Sequence, residues 1–193
     1  MNILIDEVPR SVFIDNVEYE INSDFRISIL FELMMQDNSI DNDERVATAL
    51  ELYYPEIPRD WVQGIQAILW FYRCGRDIEE ESQGRGSNKK ADAIYSFEHD
   101  DEYIYAAFLD QYGIDLQDIE YLHWWKFRAM FKGLKEDNKI SKIMGYRSIT
   151  INDDMTDSEK KYYREMKKIY ALPDNRTQQE KEEDFYNVIA SMV

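Results

Sequence analysis

The chain has 193 residues, 39 of them acidic and 23 basic, and the formal charge of −16 argues against nucleic-acid binding through clustered Lys and Arg. A hydrophobic content of 44%, with 14% aromatic residues, argues for a folded core despite 32% charge. Cys74 is the sole cysteine, which excludes an intrachain disulfide. The opening MNILIDEVPR has no basic-then-apolar leader pattern, and no apolar run approaches the roughly 18 residues of a membrane span. The expectation is a soluble, cytoplasmic protein with neither membrane nor nucleic-acid partner.

In chain order, Ser11 to Ile21 alternates on both sides of Asp15-Asn16, a pair suited to a tight hairpin turn. Residues 1–22 are therefore read as an N-terminal β-hairpin that lies on helices or extends another chain's sheet. A helix follows, capped by Ser23, with Ile27, Leu30, Phe31 and Met34 on its buried face. Polar residues 37–43 break it. Val46, Ala49, Leu50 and Tyr53 mark a second helix that stops before Pro55. Pro58 opens a third, with Trp61, Ile65, Ile68 and Tyr72 on one side and Gly75 beyond its end.

Residues 76–92 carry Ile78 as their only large apolar side chain and read as a mobile polar loop. From Tyr103 to Leu134 apolar mass is most concentrated, in two helices joined at Gly113. Tyr105, Phe108, Leu109 and Tyr112 form the stripe of the first, and Asp115 caps the second. In the second, Trp124, Phe127, Phe131 and Leu134 make one stripe and Leu122, Trp125 and Ala129 another. A helix apolar on two faces is a core element first and a partner groove second. Asp118 and Glu120 near its start, with Lys132 and Lys135 near its end, complement the helix dipole.

Lys139 to Met144 reads as a short helix ended by Gly145, and Tyr146 to Ile151 as a brief extended piece. Thr156 and Glu159 form a capping-box pair opening a helix that ends at Pro173. Thr177 and Glu180 repeat the device for a C-terminal amphipathic helix, residues 174–193, with Phe185, Val188, Ile189 and Met192 on one face. The fold expected is mainly α: a single helical domain over 1–193, with about seven or eight helices and the short hairpin.

No constellation points to catalysis. His99-Asp100-Asp101-Glu102 sets four metal-binding residue types side by side, but neighbours on a helix diverge by roughly 100° and do not converge on an ion. Acids crowding a helix N-terminus is the better reading. His123 reads as a buried, hydrogen-bonded histidine, and Cys74, between Arg73 and Arg76, as an inert buried thiol. Gly84-Arg85-Gly86 lacks the preceding strand of a nucleotide fingerprint. The expectation is a non-enzyme with no cofactor and no metal.

The strings SFEHDDEYIYAAFLDQYGIDL and YLHWWKFRAMFKGL, followed by KIMGYR, resemble the Gp-fifteen family of bacteriophage proteins. INSDFR at Ile21 to Arg26, AILWFYRCG at Ala67 to Gly75 and YALP at Tyr170 to Pro173 extend the similarity over most of the chain. Matching motif positions include Asp24, Tyr103, His123, Trp124, Trp125, Lys126 and Arg128. The resemblance implies a protein of the tail gene cluster: a tail assembly chaperone in the host cytoplasm that binds the tape-measure protein while tail tube subunits gather. Self-association is a further expectation. Trp124, Trp125, Phe127 and Phe131, with Lys126 and Arg128, are the candidate binding residues. The alternatives are a structural tail component of the virion, or an acidic DNA mimic that inhibits a host nuclease. The seven bases from Lys126 to Arg147 weigh against the mimic, which needs regular negative charge over one face.

Overall fold

The computed structural model describes residues 2–76 and 93–173. Two strands and seven helices follow one another: β1 (Ser11–Ile14), β2 (Val17–Glu20), α1 (Phe25–Gln36), α2 (Asn42–Tyr53), α3 (Trp61–Tyr72), α4 (Asp101–Tyr112), α5 (Trp124–Lys132), α6 (Lys139–Ser148) and α7 (Asp157–Ile169). The fold is mainly α with an antiparallel hairpin, as the periodicities require. The expected polar loop at 76–92 falls, except for Arg76, outside the described residues, as does the C-terminal helix expected over 174–193.

The described residues form two compact units, 2–76 with 96–142 and 93–95 with 143–173. No described helix is long and apolar enough to cross a membrane.

In the larger unit the hairpin has the register read from its turn. Ile14 pairs with Val17, and Asp15 and Asn16 take the positive φ values, 50° and 62°, that a two-residue turn matching the strand twist demands. Val12 and Ile14 point inward and are buried, which sends Phe13 outward.

The helix α1 starts one residue later than expected. Asp24, not Ser23, is its cap, accepting from the Arg26 N–H at 3.0 Å. Ser23 instead bonds Tyr121 through its hydroxyl at 2.7 Å. The buried face is Phe25, Ser28, Phe31 and Met34, so Leu30 lies outside. Ser28 is tolerated there because its hydroxyl meets that of Tyr53 at 2.8 Å.

Helix α2 buries Ala49, Leu50 and Tyr53 and stops before Pro55, as expected. Pro58 is buried ahead of α3 rather than in its first turn; Asp60 caps that helix, and Gly64, Ile68 and Phe71 face inward. The face read from Trp61 and Tyr72 is therefore rotated.

Gly113 ends α4 in the left-handed conformation, φ 65°, as predicted. The next helix does not begin at Asp115. That carboxylate accepts from Gln117 N–H and Tyr105 hydroxyl in a connecting turn, and α5 starts only at Trp124, capped by His123. Asp118 and Glu120 thus lie in the connection, and the first turn of α5 holds no acid. Around α5, Phe127 is fully buried and stacks on Phe25 at 4.8 Å and on Phe108 at 4.9 Å.

Helix α6 runs through Gly145 to Ser148, replacing the extended piece expected from Tyr146. In the smaller unit, the Thr156–Glu159 capping box opens α7 as predicted, but the helix ends at Ile169, before Pro173. Tyr146 stacks on Tyr170 and meets Tyr162 hydroxyl to hydroxyl at 3.1 Å. Arg147 donates to the Tyr170 and Ile94 carbonyls, and Lys167 to the Arg147 carbonyl at 2.9 Å.

Candidate docking surface

The aromatics singled out from the sequence are the core of the larger unit. Trp124, Trp125, Phe127 and Phe131 are all buried, the outcome expected for a helix apolar on two faces. Both indoles are spent on one task. The Trp124 N–H donates to the Tyr72 carbonyl at 2.8 Å and the Trp125 N–H to the Phe71 carbonyl at 2.7 Å. These are among the last carbonyls of α3, which have no partner inside their own helix. The positive end of α5 thereby meets the negative end of α3. Gly75, at φ 71°, lets the chain turn past this junction; a Cβ there would stand 2.9 Å from the Trp125 ring. Of the two flanking cations, Lys126 is exposed, whereas Arg128 is half-buried, its guanidinium carbon 5.3 Å from the centre of the Trp124 ring.

His123 is almost completely buried. Its Nδ1 accepts the Trp125 backbone N–H at 3.0 Å, so the ring proton sits on Nε2, which donates to the Pro9 carbonyl at 2.9 Å. Burial holds its pKa below 6.5, and the charges of Lys126 and Arg10 push the same way, against the opposing Pro9 bond. It is a structural cap. Asp24 completes the junction: its carboxylate also accepts from the Leu122 N–H at 3.1 Å, and its partner Arg26 donates to the Leu116 and Ile119 carbonyls at 3.0 and 2.7 Å.

The other reactive residue types are also accounted for locally. Asp100 is buried and accepts from the Ser96 N–H at 2.9 Å, while Asp101 and Glu102 occupy the first turn of α4. Among the described residues no group of three or more His, Cys, Asp or Glu is placed to hold a metal ion. Cys74 is half-buried rather than buried, with φ 60°.

What the larger unit does present to solvent is a second set of apolar residues. Phe13 on the outward face of β1 is 72% exposed, and Trp61 and Val62 at the start of α3 are 53% and 69% exposed. Gln63 ties the two elements together, donating to Asp15 at 2.7 Å and to the helix cap Asp60 at 3.2 Å. Between hairpin and helix, Asp15, Arg59, Asp60, Trp61 and Val62 line a depression of about 580 Å³ that is wide open to solvent. Such a shape is too open to enclose a small molecule but has room for a ridge of side chains. Two signals in the sequence point to this surface: the strand alternation that turns Phe13 outward, and the place of Trp61 and Val62 in a first turn, whose side chains lean past the helix end.

These elements define a mainly α protein with a short antiparallel hairpin and an open apolar surface beside it. The chain belongs to the bacteriophage Gp15 family: residues 4–172 match the family described as Bacteriophage Gp15 protein. Comparison with curated proteins and with solved structures finds no match.

Proposed function

We propose that this phage protein is a tail assembly chaperone, which binds the tape-measure protein in the host cytoplasm while tail tube subunits gather around it. The observation that carries the reading is the exposed Trp61 and Val62 surface beside the hairpin turn, held in place by the Gln63–Asp15 bond. A long helical client prone to aggregate needs an apolar surface to rest on and a charged carrier to keep it dissolved. Apolar anchors at helical spacing dock on such a surface, and a net charge of −16 supplies the solubility. The role asks for binding alone, with no catalytic step and no cofactor.

Co-expression with the tape-measure protein, followed by size-exclusion chromatography, tests it. Co-elution with a gain in tape-measure solubility is expected, together with absence of the protein from purified virions. Separate elution with the client still insoluble would overturn the proposal. Stoichiometric presence in virions would replace it with a structural tail role.

A further inference from the structure

Helix α7 carries a face that complements the surface just described. From Lys160 to Ile169 it holds five bases and one acid, in a chain that is otherwise strongly acidic. Lys160 faces Asp153 at 3.5 Å and Lys167 is bonded to the Arg147 carbonyl. Lys161, Arg164 and Lys168 remain exposed in one i, i+3, i+7 row. Beside that row lies another, in which Tyr162 is 47% and Ile169 58% exposed. Although the helix is amphipathic, it buries none of its residues. It is therefore an apolar stripe flanked by cations.

The Trp61 surface has the opposite sign. Asp15 and Asp60 line the depression against Arg59 alone. We infer that the Tyr162–Ile169 stripe of α7 in one copy docks on the Trp61–Val62 surface of a second copy, so that the protein self-associates head to tail. Charge complementarity selects this occupant. Two copies of a −16 chain repel each other over most of their surfaces, and α7 offers a local basic patch to the acidic rim. The two contacting faces differ, so the contact is heterologous and leaves each copy one face free to add another. The inference uses the same surface as the proposed client site but does not need the client, and it predicts that client and second copy compete.

Sedimentation velocity on the purified full chain tests it, from about 1 to 300 μM protein, because a contact between faces this small belongs to the weak end of interfaces. The expected result is a sedimentation coefficient that rises with concentration, less steeply at high salt. Val62→Lys and Ile169→Asp change exposed residues and should each weaken association about tenfold or more while leaving the melting curve in place. Mixed in equal amounts, the two variants should pair, since each retains the face that the other lacks, and growth should stop at two copies. A wild type that stays monomeric, or variants that fail to pair on mixing, would overturn the inference. So would a monomer in which Val62→Lys exposes α7 amides to hydrogen exchange, because α7 would then dock on its own chain. Loss of client co-elution with pairing intact would sink the chaperone reading alone.

Discussion

The Trp125 indole N–H donates to the Phe71 carbonyl at 2.7 Å, joining the start of α5 to the end of α3. Trp125→Phe keeps most of the apolar volume but removes one donor from that buried carbonyl, which keeps the Cys74 N–H at 2.9 Å. A loss of about 0.5–1.5 kcal/mol is expected by urea denaturation, against about 3–5 kcal/mol for Trp125→Ala, which adds a cavity. No measurable loss in Trp125→Phe would show that the bond contributes nothing.

Asp24 serves the cap of α1 and the Leu122 N–H with one carboxylate. Asp24→Ala should therefore cost about 2 kcal/mol or more, above the usual range for a lone cap. Asp24→Asn, which keeps an acceptor oxygen, should recover a good part of it in the same melting experiment.

His123 gives the fold a defined response to acid. Its folded pKa lies below the ordinary 6.5, so between the two values the unfolded chain binds more protons and stability rises with pH. The contribution is complete above 6.5 and is lost as pH falls through the folded value. His123→Asn retains a cap acceptor but does not titrate. The stability difference between wild type and this variant should therefore shrink from pH 7.5 to pH 5.5 in paired thermal melts. A difference independent of pH would exclude His123 as the group responsible.

Gly64 sits where α3 crosses the Pro58 ring, and a Cβ there would stand 2.9 Å from Pro58 Cγ and 3.1 Å from Leu50 Cδ2. The gain of about 1 kcal/mol from replacing a helix-interior glycine by alanine is opposed by this overpacking against a rigid ring. Gly64→Ala should therefore destabilise, by about 1 kcal/mol net in denaturant titration. A stabilised variant would mean that the ring yields easily.

Trp61→Ala and Trp124→Ala separate surface from core. The first removes an exposed ring and should shift stability by less than about 0.5 kcal/mol while reducing tape-measure co-elution. The second empties a fully buried site and should cost about 3–5 kcal/mol. Intact co-elution with Trp61→Ala would place the client elsewhere.

Three local signals were legible, although the equally local readings of Pro58, Asp115 and Gly145 were not. The Asp15-Asn16 turn, the left-handed Gly113 and the Thr156–Glu159 box each depend on residues within a few positions of one another, and each stands as read. The burial of Trp124 and Phe127 followed from two apolar faces on one helix. Boundaries that depend on distant partners were not legible. Asp24 rather than Ser23 caps α1 because Leu122, 98 positions away, presents an N–H to the same carboxylate.

By itself, the sequence determined a mainly α chain with one hairpin, its family, its acidic character and most of its helices, because periodicity and capping are properties of short windows. Only the tertiary structure decided which aromatics face solvent. Trp61 and Trp124 carry the same side chain, yet the second finds the Tyr72 carbonyl and a ring stack, while the first overhangs a helix end beside the hairpin turn. That difference lies in what the fold brings next to each ring, which no window of sequence around either residue contains.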